Sequence, residues 1–411
     1  MSIQHPQAVA HQIDQSSRPF AAMLMETALC RILRGIAYGQ LAVDTPAGTR
    51  LMFNGRQPGP SARLSIRSWR CLWRLATGWD IGFAESYMAG EWTSPDVECL
   101  LRLACFSNKS AEPLRWLRPP AILLKLRHAL NRNTRRGSRR NIAAHYDLGN
   151  AFYALWLDAD MTYSAGLFDE ASETLEAAQR KKLDRVIDLM AMAGGERVLE
   201  IGCGWGSLAQ RMTERFDCEV TALTLSTEQL AFAQQRQRER TGRGACTFRM
   251  QDYRDVSGTF DRIVSIEMLE AVGEAYWPRF FATLREHLRP GGIAVLQVIT
   301  IDEARFADYR RRPDFIQKHI FPGGILPTSR LIRREIARVG LQLISTEFFG
   351  ASYARTLEQW HRRFQAAWPA IERLGFDERF KRMWEYYLAY CRAGFEARVV
   401  NVGLFQVARP G

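Results

Sequence analysis

A glycine-rich turn that follows a short apolar run constrains the fold of this chain more than any other feature. Arg197–Ile201 predicts a buried strand, and Gly202, Gly204 and Gly206 follow it in the spacing G-x-G-x-G. Glycine has no Cβ and adopts backbone angles that other residues avoid, so such a turn lets the backbone approach a ligand closely. The sequence therefore predicts a ligand site beyond the carboxyl end of this strand.

Strands and helices alternate on both sides of the turn. Apolar residues recur at helical spacing between Leu175 and Met190. Two further helices are predicted over about 227–241 and 278–288, and an aromatic helical insertion over 356–395. Six more strands are predicted over 219–224, 246–251, 261–266, 292–300, 341–348 and 399–409. This alternation predicts an α/β fold built on a parallel, doubly wound sheet.

The residue at the end of the first strand distinguishes between cofactors. The carboxylate of Glu200 would repel a pyrophosphate, whereas it suits a ligand with a cationic amino-acid moiety. We therefore interpret the turn as a site for S-adenosylmethionine rather than for a dinucleotide.

Polar residues after the next two strands agree with this interpretation. Thr224, Ser226 and Gln229 follow the second strand, where the ribose of the cofactor would lie. Asp252 and Tyr253 follow the third strand, where an acid can accept a hydrogen bond from the adenine amine. Taken alone, Asp252 is equally typical of a turn. Because ligands of open α/β sheets bind beyond the carboxyl ends of the strands, we expect these residues to line one site.

The composition pattern divides the chain into three segments. Residues 1–124 predict a smaller N-terminal α+β domain, 125–140 a basic linker, and 141–411 the domain that carries the glycine-rich turn. Within the N-terminal domain, short strands at 51–53 and 62–66 flank a turn-rich stretch at 54–60. Helices are predicted there around 84–88 and 96–105.

The net charge of +12 is concentrated in the linker. Seven cationic residues and no acid lie there: Lys125, Arg127, Arg132, Arg135, Arg136, Arg139 and Arg140. Such a block attracts an anionic surface, although a solvated linker is the alternative. No nucleic-acid-binding motif accompanies the block, so an anionic phospholipid surface is the favoured partner and nucleic acid is not predicted.

Apolar runs and cysteines limit the remaining classes. No apolar run approaches the roughly 18 residues needed to span a bilayer, and no signal-peptide pattern begins the chain. We expect a cytoplasmic protein that associates peripherally with the inner face of the membrane. The eight cysteines include no C-x-x-C pair, so no metal site is predicted.

Short motifs are distributed over residues 141 to 409. They are HYDLGN at 145–150, MTYS at 161–164, LEIGCGWG at 199–206, LTLS at 223–226, SIEMLE at 265–270, FPGGILP at 321–327 and YARTL at 353–357. In this combination the region resembles the cyclopropane-fatty-acyl-phospholipid synthases and the related mycolic acid cyclopropane synthases and fatty-acid methyltransferases. The N-terminal domain is similar to the accessory domain of the full-length bacterial enzymes, most closely over Gly82–Trp92.

The resemblance implies a fold and a substrate class. The fold is that of class I S-adenosylmethionine-dependent methyltransferases: Rossmann-like, with a seven-stranded, mostly parallel sheet, a helical lid and an acyl-chain tunnel. The reaction would be transfer of a methylene or methyl group to the cis double bond of an unsaturated acyl chain of a phospholipid. The accessory domain would support homodimerisation or membrane docking.

The resemblance also implies roles for individual residues. A bicarbonate ion would act as the base, with Glu270, Tyr353 and the backbone of Ile299 around it. Cofactor contacts are implied for Tyr163, Ser164, Gly202, Gly204, Thr224, Leu225 and Gln229.

Two positions depart from the family pattern. Ala165 stands where the family commonly has cysteine, and Gln297 where it commonly has histidine. Alanine keeps a backbone amide for an anion, and glutamine donates a hydrogen bond but does not titrate near neutral pH. These departures leave three readings open: a cyclopropane synthase, a fatty-acid C-methyltransferase without ring closure, or a catalytically inactive lipid-binding protein.

Overall fold

The structure is a computed structural model that describes residues 20–107, 137, 148–170, 172–239 and 242–411. The chain folds into two compact units. The first is Met1–Ala121 with Gly375–Ala397, and the second is Ile122–Leu374 with Arg398–Gly411. Apart from Gly137, the predicted basic linker lies outside the described residues, as does the start of the HYDLGN motif. Within the described part of the chain, no helix has both the length and the apolar character that crossing a membrane requires.

The first unit contains a four-stranded sheet and four helices among its described residues. The elements are α1 (Phe20–Leu33), β1 (Tyr38–Asp44), β2 (Arg50–Asn54), β3 (Gln57–Ile66), α2 (Arg70–Met88), β4 (Trp92–Thr93), α3 (Val97–Ser107) and, much later in the chain, α13 (Glu378–Glu396). The strand order is β2-β1-β3-β4, with β1 and β3 parallel and the other two pairs antiparallel.

Strand β3 replaces part of the turn that was predicted over 54–60. It begins at Gln57, and its pairing with β1 shifts register between Tyr38 and Gln40. Pro58 and Pro60 lie opposite this irregularity. Because proline has no amide hydrogen to donate, a break in the ladder is where a strand tolerates it.

Helix α13 belongs to the first unit, which differs from the predicted uninterrupted domain over 141–411. Its Arg392 pairs with Glu98 of α3 at 2.6 Å, and its Glu396 pairs with Arg102 of α3 at 2.6 Å. The ring of Tyr386 lies 5.8 Å from that of Tyr87 on α2. The predicted aromatic insertion is therefore two helices that pack in different units.

The second unit is built on a seven-stranded sheet. Its strands are β5 (Arg197–Ile201), β6 (Glu219–Thr224), β7 (Ala245–Met250), β8 (Phe260–Ile266), β9 (Leu288–Ile301), β10 (Gln342–Phe348) and β11 (Val400–Ala408). The order is β10-β11-β9-β8-β5-β6-β7. The pairs from β9 to β7 are parallel, and β11 is inserted antiparallel between β9 and β10. All seven predicted strands are confirmed, as is the mostly parallel sheet.

The helices of this unit connect the strands. They are α4 (Asn150–Ala154), α5 (Leu175–Met190), α6 (Ser207–Arg215), α7 (Thr227–Arg238), α8 (Leu269–Val272), α9 (Trp277–His287), α10 (Glu303–Tyr309), α11 (Ser329–Arg338) and α12 (Gly350–Arg373). Two hydrophobic clusters pack against the sheet, one containing Leu199 and Ile201 and the other Val198. Because successive residues of a strand face opposite sides, these clusters cover the two faces of the sheet.

The glycine-rich turn joins β5 to α6. Gly202, Gly204 and Gly206 all have positive φ angles, of 83°, 53° and 87°. The amides of Gly202 and Cys203 donate to the carbonyl of Leu223 at the end of β6, at 3.0 and 2.8 Å. The turn therefore lies at the carboxyl edge of the sheet, at the end of β5, whose neighbours in the sheet are β8 and β6.

Replacing Gly206 with alanine should destabilise the second unit through both backbone strain and a clash. A Cβ there would lie 2.8 Å from the ring of Phe248 and 3.1 Å from the Cβ of Ala233. The left-handed backbone costs about 1–2 kcal/mol for a residue with a Cβ, and overpacking adds about 1–3 kcal/mol. Urea unfolding measures the loss.

Gly195→Ala is the matched control. Gly195 has a similar φ of 82°, but a Cβ there has no neighbour within 4 Å. It should cost only the backbone term. Equal losses in the two variants would contradict a steric role for Gly206.

Candidate active site

A cavity of about 980 Å³, including its open mouth, lies at the carboxyl edge of the second unit's sheet. Nine of the twelve residues predicted to bind the cofactor line it: Tyr163, Ser164, Glu200, Gly202, Gly204, Thr224, Leu225, Gln229 and Tyr253. The predicted convergence of β5, β6 and β7 on one site is therefore present in the structure.

Two of the other three residues support the cavity without lining it. Gly206 precedes α6 and closes the turn, since its amide donates to the carbonyl of Cys203 at 2.9 Å. Ser226 begins α7, and its hydroxyl accepts from the amide of Gln229 at 3.3 Å. Thr224 in turn donates to the side-chain carbonyl of Gln229 at 2.9 Å. These bonds orient the Gln229 side chain at the cavity wall.

Asp252 lies beside the cavity but does not line it. Both of its carboxylate oxygens accept hydrogen bonds from the guanidinium of Arg254, at 2.8 and 2.6 Å, and the residue is buried. Its neighbours Gln251 and Tyr253 line the cavity instead. An internal ion pair therefore holds the Asp252 carboxylate beside the cavity, and its contact with adenine stays a prediction.

Glu200 provides a test of whether S-adenosylmethionine fits the cavity. The residue is 2% exposed, and its Oε2 has no hydrogen-bond partner among the described residues. Burial raises the pKa of Glu200 to about 8, although nearby Lys182 opposes the shift. A buried carboxylate oxygen without a donor is costly, so a ligand with an ammonium or hydroxyl group would be stabilised there. The donor groups of S-adenosylmethionine fit this requirement.

Lys182 is a cavity residue that sequence reasoning missed. It lies on the buried face of α5 and is 1% exposed, and its ammonium donates to the hydroxyl of Ser164 at 2.9 Å. Burial lowers the pKa of Lys182 to about 8, even though Glu267, Asp158 and Glu200 favour its charged form. The available signal was a lysine within the apolar stripe of a helix, four residues after Ala178 and four before Val186.

Three of the residues predicted for the anion site converge on a carboxylate. Glu267 Oε1 accepts from the amide of Ala165 at 2.9 Å and from the side-chain amide of Gln297 at 2.7 Å. Glu267 Oε2 accepts from the hydroxyl of Tyr353 at 2.7 Å. Glu267 itself lines the cavity, so these donors face the cofactor site through it. Sequence reasoning placed Glu267 in a family motif but gave it no role.

Glu270 and Ile299, the other two predicted catalytic residues, lie next to this cluster. The amide of Ile299 donates to Glu270 Oε1 at 2.5 Å, whereas Oε2 of Glu270 is buried without a partner among the described residues. Gln297 and Ile299 are two residues apart on β9, so their side chains face the same side of the sheet. Strand β9 thus contacts both carboxylates.

The pKa values of the two glutamates are coupled. Burial, followed by the negative charge of Glu267, raises the pKa of Glu270 to about 8. Burial also raises the pKa of Glu267, but its three hydrogen-bond donors oppose the shift. Glu267 is thus the better stabilised as a carboxylate, and Glu270 is the one that holds a proton at neutral pH.

An aromatic group flanks the cluster. The ring of Trp360 on α12 is 5.2 Å from that of Tyr163, which lines the cavity, and 6.2 Å from that of Tyr353. Trp384, Tyr387 and Tyr390 belong to the first unit with the rest of α13. Trp360, on the first helix of the predicted insertion, is therefore an aromatic residue near the catalytic cluster.

Replacing Glu270 with glutamine should flatten the pH dependence of stability between about pH 5 and pH 8. The pKa of Glu270 is about 8 in the folded protein, against an ordinary value of 4.5. The folded protein therefore binds a proton that the unfolded chain releases, and this stabilising contribution is lost as the pH rises through 8. Urea unfolding at several pH values measures the slope of the free energy of unfolding against pH. Glu200, whose pKa is also about 8, continues to contribute to this slope in the variant.

Glu303→Gln is the control for this experiment. Burial raises the pKa of Glu303, but hydrogen bonds from Arg330 lower it further and hold it below its ordinary value. Glu303 therefore titrates below this pH range. The slope of this variant should match that of the unaltered protein. Parallel slopes for Glu270→Gln and the unaltered protein would mean that Glu270 is ionised throughout.

The chain is similar to a family of known proteins. The mycolic acid cyclopropane synthetase family matches residues 133–406. Tuberculostearic acid methyltransferase UfaA1 of Mycobacterium tuberculosis is 42% identical over 341 residues, covering 80% of this chain and 79% of that protein. The cyclopropane-fatty-acyl-phospholipid synthase of Escherichia coli is 37% identical over 361 residues, covering 87% and 89%.

Solved structures show the same relationship. The cyclopropane synthase MmaA2 of Mycobacterium tuberculosis has a TM-score of 0.62 and 31% identity, covering 66% of this chain and 98% of that one. Mycolic acid cyclopropane synthase CmaA1, crystallised with S-adenosylhomocysteine, has a TM-score of 0.62 and 28% identity, covering 66% and 97%. S-adenosylmethionine is thus the co-substrate of this enzyme. The chain belongs to the mycolic acid cyclopropane synthetase family, and its second unit has the fold of a class I S-adenosylmethionine-dependent methyltransferase.

Proposed function

We propose that the enzyme transfers the methyl carbon of S-adenosylmethionine to the cis double bond of an unsaturated fatty-acyl chain of a phospholipid. The observation that carries the proposal is the pair of carboxylates, Glu267 and Glu270, beside the cofactor cavity. An isolated alkene has no acidic proton to lose before it is alkylated, so a base is needed afterwards and close to the cofactor. Relatives named for this chemistry, with 42% and 37% identity, support the same assignment.

Some residues of the cavity would bind the cofactor, and others would take part in proton transfer. When bound, S-adenosylmethionine supplies an electrophilic methyl group. Glu200, Thr224 and Gln229 would hold its polar groups, because their side chains line the cavity at the ends of β5 and β6 and at the start of α7. Orientation of the double bond against the methyl group supplies much of the rate, since it removes the entropy cost of bringing the two together.

The cation that alkylation leaves on the acyl chain needs stabilisation until it loses a proton. Carboxylates and aromatic faces both provide it, through charge and through the ring quadrupole. Glu267 and Tyr163 line the cavity, and Trp360 packs against Tyr163. The cavity lining thus includes both a carboxylate and an aromatic face that could stabilise this cation.

Two products are compatible with this intermediate. Loss of a proton from the transferred methyl group closes a cyclopropane ring, as the name of the relative from E. coli implies for that enzyme. The second product is a branched chain: loss of a proton from a neighbouring chain carbon gives a methyl-branched alkene, and a 1,2-hydride shift followed by loss of a proton from the methyl group gives a methylene branch. The relative named as a tuberculostearic acid methyltransferase, together with Ala165 and Gln297 in place of cysteine and histidine, favours the second product.

Mass spectrometry of phospholipids after expression with methyl-labelled methionine tests the proposal. We expect unsaturated acyl chains to gain one labelled CH₂ unit, which the host without the gene should not show. Ring protons in the NMR spectrum would identify cyclopropane, and uptake of hydrogen under mild conditions would identify a methylene branch. The proposal is wrong if the purified protein binds S-adenosylmethionine but the acyl chains of the expressing cells remain unlabelled.

We also propose that residues 125–140 bring the enzyme to an anionic phospholipid surface. Each basic residue near such a surface contributes about 1 kcal/mol. Replacing Arg135, Arg136, Arg139 and Arg140 with glutamine should therefore weaken binding to vesicles containing phosphatidylglycerol by roughly two orders of magnitude or more at low salt. Sedimentation with vesicles measures the fraction of protein that is bound. Binding that salt and these substitutions leave unchanged would exclude the role, and Arg330→Gln, an exposed arginine elsewhere, is the control.

A further inference from the structure

We propose that the carboxylate of Glu267 is the base that takes the proton after methyl transfer, so that the chain carries its own base. The inference rests on the proposed function, because only alkylation of a carbon–carbon double bond leaves a cation that must lose a proton from carbon. It replaces the expectation that a bicarbonate ion acts as base in this protein.

The donors around Glu267 come from three separate segments of the second unit. Ala165 precedes α5, Gln297 lies on β9 and Tyr353 on α12, and all three donate to this one carboxylate at 2.7–2.9 Å. Ala165 and Gln297 are fully buried, and Tyr353 is 7% exposed. A set of convergent, buried donors is an anion site, and here the anion is part of the chain.

The hydrogen-bond count shows why a second anion is not expected there. A carboxylate oxygen accepts about two hydrogen bonds. Within the described part of the chain, Glu267 Oε1 accepts from both Ala165 and Gln297, whereas Oε2 accepts only from Tyr353. A bicarbonate ion would find these donors already engaged and would meet a negative charge. One lone pair of Oε2 remains available to receive a proton.

The backbone at Glu267 supports a functional role. Its φ is 50°, in the left-handed region that residues with a Cβ rarely adopt. Its amide donates to the carbonyl of Gln297 at 2.8 Å, which holds the peptide in place. Strained backbone of this kind persists where the surroundings fix it and is concentrated at functional sites. The chain keeps a glutamate where a glycine would relieve the strain.

Glu270 is the protonated member of the pair of carboxyl groups. Two neighbouring carboxylates in a buried site do not both ionise easily. Among the described residues, the Glu267 carboxylate accepts from a backbone amide and two side chains, whereas no side chain donates to the Glu270 carboxylate, which accepts from the amide of Ile299. The negative charge therefore resides on Glu267, which leaves it ready to act as a base.

The proposed step balances in atoms and electrons. The π electrons of the alkene form the bond to the methyl carbon, and the bonding pair to sulfur stays on sulfur, giving S-adenosylhomocysteine and a cation on the adjacent chain carbon. A C–H bond then breaks, and its electron pair forms either the ring bond or a new double bond. The proton passes to Glu267 Oε2 and leaves to solvent through the cavity mouth after the turnover.

Two substitutions at Glu267 test the proposal. Glu267→Gln keeps the shape of the side chain and removes the base, and Glu267→Gly removes the carboxylate and leaves the three donors open. Turnover is measured on vesicles of phosphatidylglycerol with cis-unsaturated chains, in buffer depleted of carbon dioxide and in buffer with added bicarbonate. Calorimetric binding of S-adenosylmethionine and the melting temperature with and without bicarbonate are independent of turnover. Glu303→Gln is the control for loss of a carboxylate.

We expect the unaltered enzyme to turn over equally well with and without bicarbonate. Glu267→Gln should still bind S-adenosylmethionine but lose about 10²–10⁴-fold in turnover, as for the loss of a general base. Bicarbonate should raise the melting temperature of Glu267→Gly, but not that of the unaltered enzyme, and should restore part of its turnover.

Three outcomes would overturn the inference. They are a requirement of the unaltered enzyme for bicarbonate, full turnover by Glu267→Gln, and a bicarbonate-dependent melting shift in the unaltered enzyme. If the unaltered enzyme adds no carbon to the vesicle lipids at all, the proposed function fails. The melting experiment still decides whether Glu267 fills the anion site.

Discussion

The hydrogen bonds accepted by the Glu267 carboxylate hold the catalytic end of the second unit together. Its three partners lie 102, 30 and 86 residues away along the chain. A buried carboxylate without donors would be strongly destabilising, so the loop before α5, the strand β9 and the helix α12 must all be in place for it to be tolerated. The orientation of the Tyr353 hydroxyl therefore depends on the same carboxylate that we propose as the base.

Local patterns in the sequence were sufficient for the sheet and for the cofactor loop. Each of the seven strands is a short apolar run with its own boundaries, and the glycine spacing specifies a turn whatever surrounds it. Parallel strands also bring their carboxyl ends to one edge, which is why Thr224, Gln229 and Tyr253 were placed in the same site as Glu200. The family motifs added Ala165, Gln297 and Tyr353, which local pattern alone would not have connected.

The features that were missed depend on contacts between distant segments. Lys182 lies within the apolar stripe of α5, but the carboxylates that favour its charged form come from three other segments. Helix α13 follows α12 after four residues, yet its ion pairs are with α3, almost 300 residues earlier. Sequence adjacency therefore predicted its unit incorrectly.

The charges in the cavity also explain why a carboxylate base suits this reaction. Glu200 and Glu267 line the cavity with Lys182, whose charged form is itself disfavoured by burial. In the proposed reaction, the positive charge begins on sulfur, moves to the acyl chain on methyl transfer and ends on the departing proton. If Glu267 is the base, the charge stays near a carboxylate through all three positions, so the surroundings need little reorganisation as it moves. S-adenosylhomocysteine carries no sulfonium charge, and the same carboxylates favour it less than the reactant, which promotes its release.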